Sequence, residues 1–278
     1  MKQKNRLTYI VIILVISCLT GYRYTNSKQK EIYILGTVHH PTINVNSDSI
    51  LRIIRQIKPS LILIESDSSN FDNQMNIKRY YEENEYGAVK QYLIEHPSTL
   101  IRPYDLNNRD EQRIQNGLYA EAGFAFELLN QMHSAGKFSQ NDSISWNRFN
   151  TYWREYELLL GGTLVDLNAV KSEVIIDSVS YYQYIKTNNI IESYPIFTES
   201  TLIGANNDTI TIKDYFKNWS DFEYHKRNNA MVQNIIKHIH STKATRILVL
   251  TGIKHKSPLK KALSEKPNAL RFKMIESY

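Results

Sequence analysis

The sequence predicts an α/β fold, in which a mostly parallel sheet is flanked by helices and carries a largely helical insertion. Apolar runs near opposite ends of the chain both end in Gly-x-x-His, at Gly36 and His39 and again at Gly252 and His255. A strand, helix and strand pattern follows the first motif. Residues 107–222, between the motif regions, contain no such motif and are mostly helical in pattern. One sheet is the simplest way to bring both motifs to one site.

The chain begins with features of an exported lipoprotein. A basic stretch precedes an apolar run, residues 7–19, which is long enough for a signal-peptide core but short for a membrane span. Within it, Val15-Ile16-Ser17-Cys18 resembles a lipobox, where cleavage precedes a cysteine that becomes lipid-modified. We expect a signal peptide over residues 1–18, lipidation at Cys18 and a polar tether over residues 19–30. This predicts a membrane-anchored protein at a bacterial cell envelope.

Two alternatives remain for this segment, an uncleaved signal anchor and an ordinary signal peptide with an incidental cysteine. In either case Cys18 is the only cysteine of the chain. The globular part, residues 31–278, therefore has no internal disulfide, cysteine nucleophile or thiolate zinc cluster.

The charge balance argues against a nucleic-acid partner. Lys and Arg outnumber Asp and Glu by 34 to 28, which gives a formal net charge of +6. The basic residues are scattered along the chain, whereas nucleic-acid binding proteins gather them on one arm or face.

The first strand is predicted at residues 32–35, which are apolar or aromatic and are followed by Gly36. We expect the backbone freedom of Gly36 to turn the chain, so that His39 folds back over the carboxyl end of the strand. Apolar residues at helical spacing then predict a helix over residues 47–57, which Pro59 closes.

The next apolar run, residues 61–64, predicts a second strand. A right-handed βαβ unit places Glu65 at the same sheet edge as His39. If the two strands are neighbours, they lie about 5 Å apart. Asp67 is a weaker candidate because it lies further out, in a predicted loop.

A helix is predicted over residues 76–95 and a third strand over residues 100–104. Asp105 follows that strand and is a candidate supporting residue at the same edge. The insertion is predicted to contain helices over residues 121–132, 144–160 and 166–186 and a short strand over residues 209–212.

Arg227 breaks a local rule on the helix predicted over residues 223–240. It lies on the apolar face, four residues before Met231, at the amino end, where the helix dipole disfavours a cation. This indicates either a structural ion pair or a site residue. The second Gly-x-x-His motif follows, then a helix over residues 257–264 and a final strand over residues 270–275.

The motif residues together resemble the TraB/TIKI superfamily, which includes the GumN-like proteins and is related to the erythromycin esterases. The resemblance covers about residues 31–67 and 223–278. Two positions depart from the family pattern: Lys254 replaces a small residue, and Lys256-Ser257-Pro258 replaces Leu-x-Gly. The residues that carry the resemblance are Gly36, Thr37, Val38, His39, Glu65, Arg227, Asn228, Met231, Gly252 and His255.

The resemblance implies several activities, since the family includes membrane-tethered metalloproteases that use manganese or cobalt, esterases and a haem-binding lipoprotein. The residues agree with hydrolysis in outline. Two imidazoles and a carboxylate, from His39, His255 and Glu65, can hold a divalent metal that activates water. Arg227 can then stabilise the oxyanion.

We therefore expect a membrane-tethered, metal-dependent, peptidase-like hydrolase of a peptide or ester, with manganese or cobalt favoured over zinc. Asp105 and Asn228 are expected to support its site. One alternative is a metal-free esterase, in which one histidine is the general base and Glu65 orients it. Another is a non-catalytic lipoprotein that binds haem or another ligand. The sequence leaves open whether two chains combine as a homodimer at the sheet edge.

Overall fold

The structure is a computed structural model, which describes residues 29–265 and 272–275. The predicted signal peptide, the lipobox with Cys18 and nearly all of the tether lie outside the described residues. The strands are β1 (Lys30–Thr37), β2 (Leu61–Ile64), β3 (Leu100–Pro103), β4 (Thr201–Ile203), β5 (Thr209–Thr211), β6 (Arg246–Gly252) and β7 (Phe272–Ile275).

Five of these strands form one parallel sheet in the order β3-β2-β6-β1-β7, which confirms the predicted α/β fold. The first and second strands are not neighbours, because β6 lies between them and pairs with both. Leu250 of β6 is in register with Leu35 of β1 and with Ile64 of β2. The carboxyl ends of these three strands therefore lie side by side.

Helices cover both faces of the sheet and form the insertion. The α-helices are α1 (Ser47–Ile57), α2 (Asn84–Glu95), α3 (Arg109–Gln115), α4 (Gly123–Ser134), α5 (Gln140–Leu160), α6 (Leu164–Asn168), α7 (Val170–Ser180), α8 (Thr187–Ser193), α9 (Ile196–Glu199), α10 (Ile212–Ser220), α11 (Arg227–Ser241) and α12 (Ile253–Ser264). Two π-helical segments join neighbouring helices without a break: Tyr181–Lys186 joins α7 to α8, and Asp221–Lys226 joins α10 to α11.

Alternation along the strands divides the core into two layers. In β6, Leu248 and Leu250 pack with α1 and α2 on one face, whereas Ile247 and Val249 pack with α11 and α12 on the other. Each such aliphatic side chain contributes about 1.5–3 kcal/mol when it is fully buried.

The helix predicted over residues 76–95 begins only at Asn84. The Asp72 carboxylate accepts hydrogen bonds from the backbone N–H groups of Gln74 and Asn76, and Met75 has a φ of 65°. A positive φ at Met75 is incompatible with a right-handed helix, so this part of the chain forms a turn.

The insertion is largely helical, as predicted, and also contains a β4–β5 hairpin. Its own aromatic core includes the buried side chains of Trp146, Tyr215 and Phe216. The predicted boundary at residue 222 falls inside the continuous helix that runs from α10 through to α11. The insertion is thus joined by an unbroken helix to the segment that carries Arg227. Within residues 29–265 and 272–275, no helix has the length and apolar character needed to cross a bilayer.

Candidate active site

The predicted site residues meet at the carboxyl edge of the sheet. His39 follows β1, Glu65 follows β2, Asp105 lies just after β3, and His255 is in the first turn of α12, which follows β6. His39, Glu65, His255 and Arg227 line a cleft of about 510 Å³, whose other wall comes from the insertion. The parallel sheet explains why His39, Glu65, Asp105 and His255 lie together, since each follows the carboxyl end of a strand, whereas Arg227 comes from helix α11.

Glu65 is fixed at the centre of this group. One carboxylate oxygen accepts a hydrogen bond of 2.6 Å from Nη2 of Arg227, and the other accepts bonds from the Thr251 hydroxyl at 3.0 Å and the Gly252 N–H at 2.6 Å. Burial raises the pKa of Glu65, but His255, Arg227, His39 and the Gly252 N–H outweigh burial and hold this pKa well below its usual range. Glu65 is therefore a fixed carboxylate.

Arg227 connects the buried acids, and although it is the first residue of α11, the helical backbone does not begin there. Its Nε and Nη2 atoms donate to the two Asp105 oxygens at 2.9 and 2.8 Å, and Nη2 also donates to Glu65. The prediction of a cation at a helix amino end was wrong, because the helix continues from Ile212 through Asp221–Lys226 into α11. The anions opposite the guanidinium explain its burial. Burial lowers the pKa of Arg227, but these carboxylates raise it by more than burial lowers it. The net pKa is therefore above its usual value and the side chain stays charged.

His255 is held as a neutral imidazole. The Asn228 side-chain amide donates to the Tyr224 carbonyl, so the Asn228 side-chain oxygen faces Nδ1 of His255 at 2.7 Å. This oxygen accepts a hydrogen bond from the Nδ1–H group. Nε2 of His255 then accepts a hydrogen bond of 3.1 Å from Nη1 of Arg227. Burial and the nearby Arg227 charge lower the pKa of His255 to about 4. Both ring nitrogens are thus engaged.

The predicted metal ligands lie close together, although Glu65 and His255 already have other partners. Nε2 of His39 is 3.9 Å from Oε1 of Glu65, and Nε2 of His255 is 3.7 Å from the same oxygen. Arg227 donates to both Glu65 Oε1 and His255 Nε2. The structure brings the predicted set together around a guanidinium.

A second set of ligand atoms surrounds the other nitrogen of His39. Nδ1 of His39 lies 3.1 Å from the Glu85 carboxylate and 4.0 Å from the Glu83 carboxylate. One ligand atom from each of these residues can be chosen so that all three lie within 4.8 Å of one another. In the part of the chain that the structure describes, this is the group of His, Asp and Glu side chains that can hold a metal ion.

Oε2 of Glu85 is buried and makes no hydrogen bond, and the buried Nδ1 of His39 has only the 3.1 Å ion-pair contact with the other Glu85 oxygen, which lacks hydrogen-bond geometry. The other Glu85 oxygen accepts a hydrogen bond from the Thr37 hydroxyl, which fixes the carboxylate. Buried polar atoms are normally paired, and a cation bound between these two atoms would pair both of them. The donor set of one imidazole and two carboxylates suits a divalent metal.

The electrostatics favour a cation at the same place. Burial lowers the pKa of His39, but Glu85, Glu65 and Glu83 outweigh burial and raise this pKa to about 9. Burial, together with the neighbouring Glu85 and Glu65, raises the pKa of Glu83. Three carboxylates thus crowd around one imidazole, and added positive charge relieves their repulsion.

The two motif glycines allow close packing. A Cβ atom at Gly36 would collide with the Ile253 side chain, and one at Gly252 would lie 3.0 Å from Nε2 of His39. The expectation that Gly36 uses a special backbone conformation was wrong. Among the described glycines, only Gly117 and Gly136 have a positive φ.

The sequence prediction missed Glu83 and Glu85. The signal was present, because Glu83-Asn84-Glu85 immediately precedes apolar residues at helical spacing, which is typical of a helix amino terminus. Asp67, the weaker candidate, has a structural role, since its carboxylate accepts from the backbone N–H groups of Ser69 and Arg109.

Comparisons of the chain with protein-family models, curated proteins and solved structures found no match. The resemblance to the TraB/TIKI superfamily therefore stays a prediction from the motif residues.

Proposed function

We propose that this protein is a metal-dependent hydrolase of ester or peptide bonds, with the metal held by His39, Glu83 and Glu85. The observation that carries the proposal is the pair of buried atoms Nδ1 of His39 and Oε2 of Glu85, neither of which makes a hydrogen bond of good geometry, beside the second carboxylate of the group, that of Glu83. This ligand set keeps His39 from the predicted metal site. The carboxylates of Glu83 and Glu85 take the places predicted for Glu65 and His255.

The bound metal would lower the pKa of a coordinated water and polarise a substrate carbonyl. The protein residues around it have separate roles. Glu65 and Asp105 hold Arg227 in place, and Nη1 of Arg227 has one N–H that makes no close hydrogen bond, since Glu223 is 3.7 Å away. This N–H can donate to the oxygen on which negative charge develops.

His255 and Asn228 support this arrangement. Asn228 fixes the proton on Nδ1 of His255, and the lone pair on Nε2 then accepts from Arg227. His255 is therefore proposed to position the guanidinium. Its neutral form avoids a second positive charge beside Arg227.

A metal-free esterase is the second candidate, favoured by the Glu85 carboxylate 3.1 Å from Nδ1 of His39. In that mechanism Nε2 of His39 would act as the general base. A histidine with a pKa of about 9 is only about 1% neutral at pH 7, which makes it a poor base without a metal. The raised pKa of His39 therefore favours the metal-dependent reaction over the metal-free esterase.

We also propose that the protein is tethered to a bacterial envelope membrane through a lipid on Cys18, as the lipobox-like segment predicts. Replacement of Cys18 by Ser should release the protein from the membrane fraction. A membrane fraction that is unchanged by the substitution would contradict the anchor and leave the hydrolase proposal untouched.

The hydrolase proposal is tested with the full chain in detergent, on p-nitrophenyl esters and short peptides. We expect activity that a chelator abolishes and that manganese or cobalt restores. Glu83→Gln should lose this activity, whereas Glu82→Gln, at the exposed neighbouring position, should keep it. Hydrolysis that survives the chelator would favour the metal-free esterase. Absence of hydrolysis, with haem absorbance in the purified protein, would favour the carrier alternative.

A further inference from the structure

Lys254 extends from the second motif into the cleft, on the side formed by the insertion. Its ammonium nitrogen lies 4.8 Å from the centre of the Trp153 ring and 5.2 Å from that of Tyr156. Within residues 29–265 and 272–275, its one hydrogen bond is to the Gln183 side-chain oxygen, at 3.3 Å. These contacts fix the position of the ammonium group, and they leave N–H groups of the ammonium available to donate to a ligand.

The surrounding charges make this lysine unusual on its helix. Lys256 and Lys260, further along α12, both form ion pairs with Glu173, at 3.2 and 3.0 Å. Among the residues that the structure describes, no carboxylate lies within ion-pair distance of the Lys254 ammonium. The charge of Lys254 is held by aromatic faces and an amide oxygen instead.

The position itself is costly for a positive charge. Burial lowers the pKa of Lys254. Glu121, which also lines the cleft, raises this pKa by electrostatic attraction without forming an ion pair, and the net effect is a lowered pKa. Lys254 also lies in the first turn of α12, where the helix dipole disfavours a cation and favours an anion. An anion that enters the cleft would gain from both the ammonium and the dipole.

We propose that Lys254 binds a carboxylate of the substrate. The neighbouring cleft wall is apolar and aromatic, from Tyr156, Leu160 and Tyr184. The substrate class is therefore a peptide or an acylated amino acid that carries a free carboxylate next to an apolar or aromatic side chain. The identity of the substrate rests on the proposed hydrolase function, whereas the carboxylate site itself does not.

The site is tested by calorimetric titration of two probes, N-acetyl-L-phenylalanine and its amide, into the full chain in detergent. The protein is treated with chelator, so that a metal cannot bind the carboxylate. We expect the acid to bind at least tenfold more tightly than the amide. The Lys254→Met variant should lose this preference, and Lys254→Arg should keep part of it.

Two further variants sharpen the test. Lys226→Met is the matched control, since Lys226 also lies over an aromatic ring, that of Phe222 at 5.2 Å, but is exposed and outside the cleft. It should leave the preference unchanged. Glu121→Gln removes the facing carboxylate and should tighten binding of the acid. Equal affinity for acid and amide in the unmodified protein, or a preference retained in Lys254→Met, would overturn the carboxylate site.

The two proposals fail in different ways. A preference for the acid that depends on Lys254, in a protein that hydrolyses nothing, removes the hydrolase proposal and keeps the carboxylate site. Chelator-sensitive hydrolysis with the same KM for substrates with and without a free carboxylate keeps the hydrolase and removes the site.

Discussion

His39 of the first Gly-x-x-His motif packs against Gly252 of the second. A methyl group at Gly252 would lie 3.0 Å from Nε2 of the His39 ring. The contact follows from strand register, because Thr37, at the end of β1, pairs with Gly252, at the end of β6. The two motifs therefore build one site by packing on each other.

Gly252→Ala should disturb catalysis more than stability. The added methyl group must displace the His39 ring, which is 42% exposed and can shift toward solvent at little cost. A displacement of about 1 Å in a catalytic group reduces kcat/KM by about 10²-fold. Steady-state kinetics and thermal melting measure the two effects. Gly123→Ala is the control, since a methyl group there meets no atom within 4 Å. Unchanged kinetics in Gly252→Ala would contradict a catalytic role for His39.

Arg227→Ala should destabilise the fold. The substitution removes the buried guanidinium that pairs with both Asp105 and Glu65, and breaking such a buried ion pair costs about 3–5 kcal/mol in the free energy of unfolding. Urea denaturation measures it. Arg55→Ala is the control, because Arg55 pairs with Glu95 at the surface and such pairs contribute about 0–1 kcal/mol. A loss in Arg227→Ala no larger than that of the control would contradict the structural role of the guanidinium.

The strand ends could be predicted from the sequence because the sheet determines where they lie. His39, Glu65, Asp105 and His255 each come after an apolar run, and parallel strands bring their carboxyl ends to one edge. Which strands are neighbours in the sheet could not be predicted in the same way. Whether β6 inserts between β1 and β2 depends on packing of the whole chain.

Glu83 and Glu85 were harder to predict, because tertiary contacts place them. Asn84, between them, donates from its backbone to the His39 carbonyl at 3.0 Å and from its side chain to the Val38 carbonyl at 2.8 Å. These bonds attach the start of α2 to the first motif after an irregular loop. Local sequence pattern carries no information about such a contact.

The low pKa of His255 should make stability depend on pH in mildly acidic solution. The unfolded histidine titrates near 6.5 and the folded one near 4, so the unfolded state binds more protons between these values. Stability should fall by about 3 kcal/mol as the pH decreases from 6.5 to 4. Denaturation at several pH values measures this, and His255→Gln should lack this part of the slope. The same slope in both proteins would contradict the low pKa.

Metal binding should release a proton from His39. Without metal, its pKa of about 9 keeps the ring protonated at pH 7.5, and a metal ligand must be deprotonated. Calorimetric titration of manganese in buffers of different ionisation enthalpy should give about one proton released per ion, or more, since the pKa of Glu83 is also raised. Metal binding without proton release would contradict the claim that His39 is protonated in the metal-free protein and becomes a ligand.

Metal stoichiometry tests the central claim most directly. The full chain, purified in detergent and dialysed against manganese, is analysed by elemental mass spectrometry beside Glu83→Gln, Glu85→Gln and the exposed control Glu82→Gln. The ligand set predicts about one metal ion per chain in the unmodified protein and in the control. Both ligand variants should retain at least tenfold less metal per chain. Metal that is absent from the unmodified protein, or retained equally in all four proteins, would contradict a site at His39, Glu83 and Glu85.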